Sequence, residues 1–246
     1  MSKERAIQRF FSIVREENLY PSVGNLRFRL QNLFDGIDFD HMNILDLGGG
    51  NGLFSFYSAL KGTKEVICLE PEHEGSTPHV TSGFKRLQAL FLTDRVALKM
   101  SSIQDFDPGG VQFDIILMHN SINHLDENAC IHLLKNQESR ERYKDIFLKI
   151  RSVARMGAKL IISDCSRHNF FGHFKMKNPL APHIDWYKHQ SPETWIKLLH
   201  EIGFGRPELV WTSLDPLRSL GQKLFGNKVG SYFLGSYFIL KMDRTQ

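Results

Sequence analysis

The stretch Asn43-Ile-Leu-Asp-Leu-Gly-Gly-Gly-Asn-Gly-Leu-Phe-Ser-Phe56 decides the fold. A short apolar run carrying one aspartate, Asp46, meets four glycines in five positions, and an apolar, helix-like run follows. A strand that ends in glycines and opens a helix is the nucleotide-binding turn of α/β proteins, because glycine permits the tight turn and lets a ligand approach the backbone. The spacing narrows the choice. A dinucleotide fingerprint requires G-x-G-x-x-G; Gly48 and Gly50 fit its first two positions, but the third falls on Leu53. That disfavours an NAD-dependent oxidoreductase. No Gly-Lys-Ser/Thr follows, so a phosphate-binding P-loop is excluded. The pattern is D-x-G-x-G-x-G, formed by Asp46, Gly48, Gly50 and Gly52.

Working outward, short apolar runs alternate with amphipathic stretches: "NILDL", "EVICLE", "RVALKM", "FDIILMH" and "AKLIISD". Such nearly continuous apolar runs suit strands buried on both faces, as in a parallel sheet covered by helices. Before the first run, Ile7, Phe10, Phe11 and Val14 fall on one helical face, and a second helix is predicted over Leu26 to Leu33. Tyr143, Ile146, Phe147 and Ile150 mark another helix. Ser191 as N-cap, Pro192 at N1 and the stripe Trp195, Leu198, Leu199 and Ile202 mark one more. Two late strands are predicted near "ELVWTS" and "SYFLGSYFILKM".

The prediction is a Rossmann-like, doubly wound α/β sheet of about seven strands, mostly parallel, with an antiparallel C-terminal strand. One domain covers 1–246: an N-terminal helical cap over 1–42, a cofactor-binding core over 43–165, a lid insertion over 166–190, and a C-terminal helix and strand pair over 191–246. The segment 214–230 has no place in the sheet and reads as a second insertion.

Bulk properties agree with an ordinary globular chain. Of its 246 residues, 41% are hydrophobic and 24% charged, and the net charge is +4. Three scattered cysteines, Cys68, Cys130 and Cys165, form neither a CxxC pair nor a disulfide framework, which predicts a reducing, cytoplasmic setting. The N-terminus lacks the apolar core of a signal peptide, and no apolar run approaches a membrane span.

Glu70 ends the second apolar run, 18 residues after Gly52, where a carboxylate can accept both hydroxyls of a ribose. "MSSIQDF" ends the third run, where an adenine would rest. "FDIILMHNSINH" is a buried strand followed by polar residues, and ligands of open α/β sheets bind just beyond such strand ends. Together these residues resemble the class I S-adenosylmethionine-dependent methyltransferases. "ILDLGGGNG" looks like that family's first motif, "CLEPE" like its ribose-binding acidic motif, and "ARMGAKLIISD" like its Pro-Gly-Gly turn and fifth strand, with Met156-Gly157-Ala158 in place of the tripeptide. The resemblance implies S-adenosylmethionine as cofactor and S-adenosylhomocysteine as product. It places Asp46 and Gly48 near the amino-acid part, Gly50 and Gly52 in the turn, and Glu70 on the ribose. Many relatives carry an aspartate that contacts the adenine amino group; the matching position here is Ser102, with the backbone of Ile103 beside it. His119, at the end of its strand, is expected to contact cofactor or neighbouring backbone.

The acceptor is approached by elimination. After the fourth strand, His119-Asn120-Ser121-Ile122 replaces the Asn/Asp-Pro-Pro-Tyr/Phe motif of amino methylases. No cysteine lies in the Pro-Cys context of cytosine methylases. "SDCSRHN" lacks the Asp-Asn pair of magnesium-dependent catechol-type enzymes, so no metal is predicted. Histidine remains, the usual base near neutral pH. His124 is the first candidate, with a capping or packing role beside the helix that begins near Asp126 as the alternative.

His168 and His183 are further catalytic candidates in the insertion "SRHNFFGHFKMKNPLAPHIDWYKHQ". That insertion carries four of the chain's eleven histidines and four Lys/Arg against one acid, interleaved with aromatics. A zinc site from these histidines fits no known spacing. A basic, aromatic lid points to an anionic or sugar-bearing acceptor. Arg27 or Arg29 could meet the cofactor carboxylate. The expectation is methyl transfer to a hydroxyl of a small polar or sugar-like metabolite in a biosynthetic pathway, with no membrane or nucleic-acid partner and the oligomeric state open. A methylase of RNA or protein, and a non-catalytic cofactor-binding relative, remain as alternatives.

Overall fold

A computed structural model describes residues 2–71 and 79–246. The last residue of the "CLEPE" motif, Glu72, lies outside that range. The first elements are α1 (Lys3–Glu16), α2 (Val23–Leu33), β1 (Asn43–Leu47), α3 (Leu53–Leu60), β2 (Glu65–Leu69), α4 (Val80–Phe91), β3 (Val96–Lys99) and β4 (Phe113–His119). Then come α5 (Glu127–His132), α6 (Gln137–Val153), β5 (Ala154–Cys165), α7 (Phe170–His173), α8 (Pro192–Glu201), β6 (Phe204–Trp211), α9 (Arg218–Phe225), α10 (Lys228–Phe233) and β7 (Tyr237–Arg244). The seven-stranded sheet has the order β3-β2-β1-β4-β5-β7-β6. β1 runs parallel to β2 and β4, and β2 to β3, whereas β7 is antiparallel to β5 and to β6. This is the predicted Rossmann-like architecture. Among the described residues no helix is long and apolar enough to cross a membrane.

The chain divides into two compact units. The first comprises 1–118 with 153–158. Its strands β1 and β2 are buried over almost their whole length, as continuous apolar runs require. The predicted helical face of α1 is buried at Phe10, Phe11 and Val14. Phe10 stacks on Phe91 of α4 with ring centroids 5.0 Å apart, and Phe34 stacks on Tyr57 of α3 at 5.9 Å. Arg27 lies 4.0 Å over the Phe11 ring, a cation–π contact that occupies one of the two arginines proposed for the cofactor.

The second unit comprises 119–152 with 159–246. Its core forms where α6 meets α8: the ring of Trp195 lies 5.2 Å from Tyr143 and 5.8 Å from Phe147. The start of α8 is as predicted, with Pro192 in the first turn and Ser191 Oγ accepting the Thr194 N–H at 3.3 Å. The expected strand "SYFLGSYFILKM" is half wrong. Its first residues belong to α10, capped by Asn227, whose side chain accepts the Gly230 N–H at 2.9 Å. The strand begins only at Tyr237. The aromatic and aliphatic residues of this run imitated a strand, but Phe233 is exposed at the end of α10 and has no sheet neighbour.

Candidate functional site

In the first unit, the turn after β1 is built by backbone that L side chains rarely adopt. Gly48, Gly50 and Gly52 have φ of 69°, 55° and 86°. Gly49, between them, is glycine for a different reason. A Cβ there would meet Asp46 Oδ2 and Cys68 Sγ at 2.7 Å each. The turn is tied down by Gly48 N–H donating to Leu69 O (2.8 Å) and Gly50 N–H donating to Glu70 Oε2 (2.8 Å). Glu70 is therefore a buried buttress of the glycine loop.

Asp46 is 2% exposed and accepts the Ser55 hydroxyl at 2.6 Å. Its carboxyl is pushed up to about 6, chiefly by burial; the Ser55 bond opposes the rise and the nearby Glu70 charge adds to it. Burial also drives the Cys68 thiol well above its ordinary value. At the end of β3, Ser102 donates to Asp105 Oδ2 at 2.7 Å, and the Asp105 N–H returns to Ser102 Oγ at 3.3 Å. The side chain of Ile103 is buried. Two buried carboxylates, Asp46 and Glu70, beside a glycine turn with no room for a Cβ at Gly49 form an acceptor set suited to a ligand with ribose hydroxyls and a cationic amino-acid end.

His119 is placed in the second unit, at the end of β4. This unit holds a cavity of about 260 Å³. Of the three catalytic candidates it brings together His124 and His183; His168 is not among the lining residues. His124 is half exposed, with Nδ1 3.5 Å from Glu127 and Nε2 3.4 Å from the Asn123 amide. Asp126 caps α5 through the Ala129 N–H at 3.0 Å.

The same cavity is lined by a pair that sequence reasoning missed. Asp164, 1% exposed near the end of β5, accepts the Cys165 N–H at 2.8 Å. Its two oxygens lie 3.1 and 3.3 Å from His189 Nδ1. Carboxylate oxygens accept, so Asp164 takes a hydrogen bond from His189 Nδ1, which in a neutral ring leaves Nε2 as the acceptor. Asn123, 1% exposed, also lines the cavity, and its Oδ1 has no partner among the described residues. Of the insertion's cations only Lys188 lines the cavity. It is engaged by Glu127 at 3.0 Å and Asp185 at 3.7 Å, and the Glu127 bond raises its pKa. Asp164, Cys165 and His189 also group their ligand atoms within 4.8 Å, a set that could hold a metal. Burial holds the Cys165 thiol well above its ordinary value, against the thiolate a metal needs, and His189 Nδ1 is already committed to Asp164.

Residues 38–203 match the family model described as a methyltransferase domain, and the chain belongs to that family, the class I S-adenosylmethionine-dependent methyltransferases. S-adenosylmethionine is its cofactor. Solved structures share the fold at low identity. A Listeria monocytogenes protein, provisionally described as an S-adenosylmethionine dependent methyltransferase, is 16% identical at a TM-score of 0.60, covering 91% of this chain and 99% of its own. An S-adenosylmethionine dependent methyltransferase from Mesorhizobium loti is 12% identical, with a TM-score of 0.57 and coverage of 89% and 96%. The N-methyltransferase NodS from Bradyrhizobium japonicum is 14% identical, with a TM-score of 0.53 and coverage of 96% and 97%. No curated protein sequence matches the chain.

Proposed function

We propose that this methyltransferase alkylates a hydroxyl of a small, uncharged polar or sugar-like metabolite. The observation that carries the reading is the His189–Asp164 pair on the second unit's cavity. When bound, S-adenosylmethionine supplies an electrophilic methyl on sulfur that leaves as a neutral thioether. A hydroxyl is a poor nucleophile until its proton is removed. His189 Nε2 takes that proton as the new O–C bond forms and the C–S bond breaks. Asp164 holds the ring in the required tautomer and stabilises the imidazolium that results. Asn123 Oδ1 accepts a second hydroxyl of the acceptor, and His124 and His183 contribute polar contacts.

The cation on the cavity is already neutralised by acids, which favours an uncharged acceptor over an anionic one. In the first unit, Glu70 holds the ribose, Asp46 faces the amino-acid end, and Asp105, oriented by Ser102, supplies the carboxylate for the adenine end that position 102 lacks.

The test is S-adenosylhomocysteine release with a panel of polyhydroxyl and amine acceptors, the product identified by mass spectrometry. We expect a methyl ether. His189→Ala should lower kcat by about 10²–10⁴ and leave cofactor affinity unchanged, Asp164→Asn should lower kcat, and chelators should leave the wild-type rate intact. A methylated amine, or full turnover by His189→Ala, contradicts the reading; loss of activity on chelation, restored by added zinc, would make the trio a metal site instead.

A further inference from the structure

We propose that the face formed by α7, α9 and α10 is a docking surface for an anionic lipid–water interface. The stripe that normally faces a core is here turned outward. On α9, Leu220 and Leu224 are 66% and 58% exposed; on α10, Val229 and Phe233 are 69% and 51% exposed; and Phe174, just after α7, is 58% exposed. By contrast, Trp195, Leu198 and Leu199 of α8 are buried. Single exposed apolar residues are ordinary, but a contiguous set marks an interaction surface.

The aromatic part of this face is continuous and held in place, and α10 packs beside both α7 and α9. The Phe170 ring lies 5.4 Å from Phe233 and 5.0 Å from Phe174. Beneath them two buried amides stitch the segments together. Asn169 Nδ2 donates to Tyr232 O (3.1 Å) and Leu234 O (3.2 Å), and Asn178 Nδ2 donates to Leu234 O (2.6 Å). On α9, Gly221 takes the buried side of the helix: a Cβ there would meet Leu217 and Ser213 at under 3 Å.

Charge selects the occupant. Lys175 and Lys177 bracket the exposed Met176, and Lys223 precedes Leu224; all three lysines are exposed. The segment 214–230 contains one acid, Asp215. Lysines interleaved with Leu and Phe suit the boundary between anionic headgroups and acyl chains, where the apolar side chains insert and the ammonium groups stay at the surface. A second copy would bring like charges together, which disfavours self-association through this face.

The experiment is vesicle flotation of the full chain, with phosphatidylcholine alone or mixed with phosphatidylglycerol, at low and high salt. The wild type should float with the mixed vesicles. Removing phosphatidylglycerol, or the double variants Leu220→Ser/Leu224→Ser and Lys175→Glu/Lys177→Glu, should each weaken binding roughly tenfold or more. Because these side chains are exposed, each variant should keep the wild-type thermal shift with S-adenosylhomocysteine, which verifies folding and leaves the methyl-transfer reading untouched. Absence of flotation with mixed vesicles, or equal binding to neutral ones, overturns the proposal. So does a wild-type dimer that the leucine variant dissociates without any vesicle binding.

Discussion

At the scale of single residues, Asp46 makes the sharpest prediction. Its carboxyl rises from an ordinary 3.8 to about 6 on folding, so the folded state binds the proton more tightly than the unfolded chain. The stability this provides is complete below pH 3.8 and is lost as pH rises through about 6. At pH 7 the ionised, buried carboxylate destabilises the free protein by roughly 3 kcal/mol. Asp46→Asn can still accept the Ser55 hydroxyl. It should therefore raise the urea midpoint at pH 7 and flatten the pH dependence of stability between pH 4 and 6. An unchanged pH profile would show that Asp46 does not titrate in that window.

Glu70 makes a second prediction, because it accepts the Gly50 N–H and also bears a charge. Glu70→Ala should weaken S-adenosylhomocysteine binding by about 10- to 100-fold and loosen the glycine turn. Glu70→Gln, which keeps an acceptor for Gly50, should lose affinity with less loss of stability. Calorimetric titration of both variants separates the two roles.

At the scale of elements, the glycine turn was readable because each constraint leaves a residue type behind. Gly48, Gly50 and Gly52 record positive φ. Gly49, which the D-x-G-x-G-x-G reading passed over, records crowding against Asp46 and Cys68. Gly49→Ala should therefore destabilise the chain by about 1–3 kcal/mol and abolish the thermal response to S-adenosylhomocysteine; a folded variant with wild-type affinity would show that the loop has room to yield. The His189–Asp164 pair was not readable. Its members are 25 residues apart in sequence, and Asp164 reads as the end of an apolar strand. Nothing in the spacing of His168, His173, His183 and His189 says which ring reaches a buried carboxylate. The signal available was Asp164 itself, a carboxylate closing an otherwise apolar run. The misread of α10 has the mirror-image cause: exposed aromatics carry no periodicity set by a core.

At the scale of the whole molecule, the mostly parallel sheet of about seven strands and its antiparallel C-terminal strand were legible from buried apolar runs and their helical spacers; the order β3-β2-β1-β4-β5-β7-β6 came from the structure. The two insertions were legible only as segments outside the sheet, since their placement depends on contacts such as Asn169 with Tyr232 and Leu234, 63 and 65 residues away. The central claim is that the glycine cradle with Asp46 and Glu70 holds S-adenosylmethionine. Its most direct test is the melting temperature with S-adenosylhomocysteine, using NAD as the control. A ligand at 100 times its Kd stabilises by about 2.7 kcal/mol, which for a chain of this size should raise Tm by roughly 5–10 °C. The account predicts that shift with S-adenosylhomocysteine, none with NAD, and its loss in Glu70→Ala; no shift with the wild-type chain, or an equal shift with NAD, would contradict it.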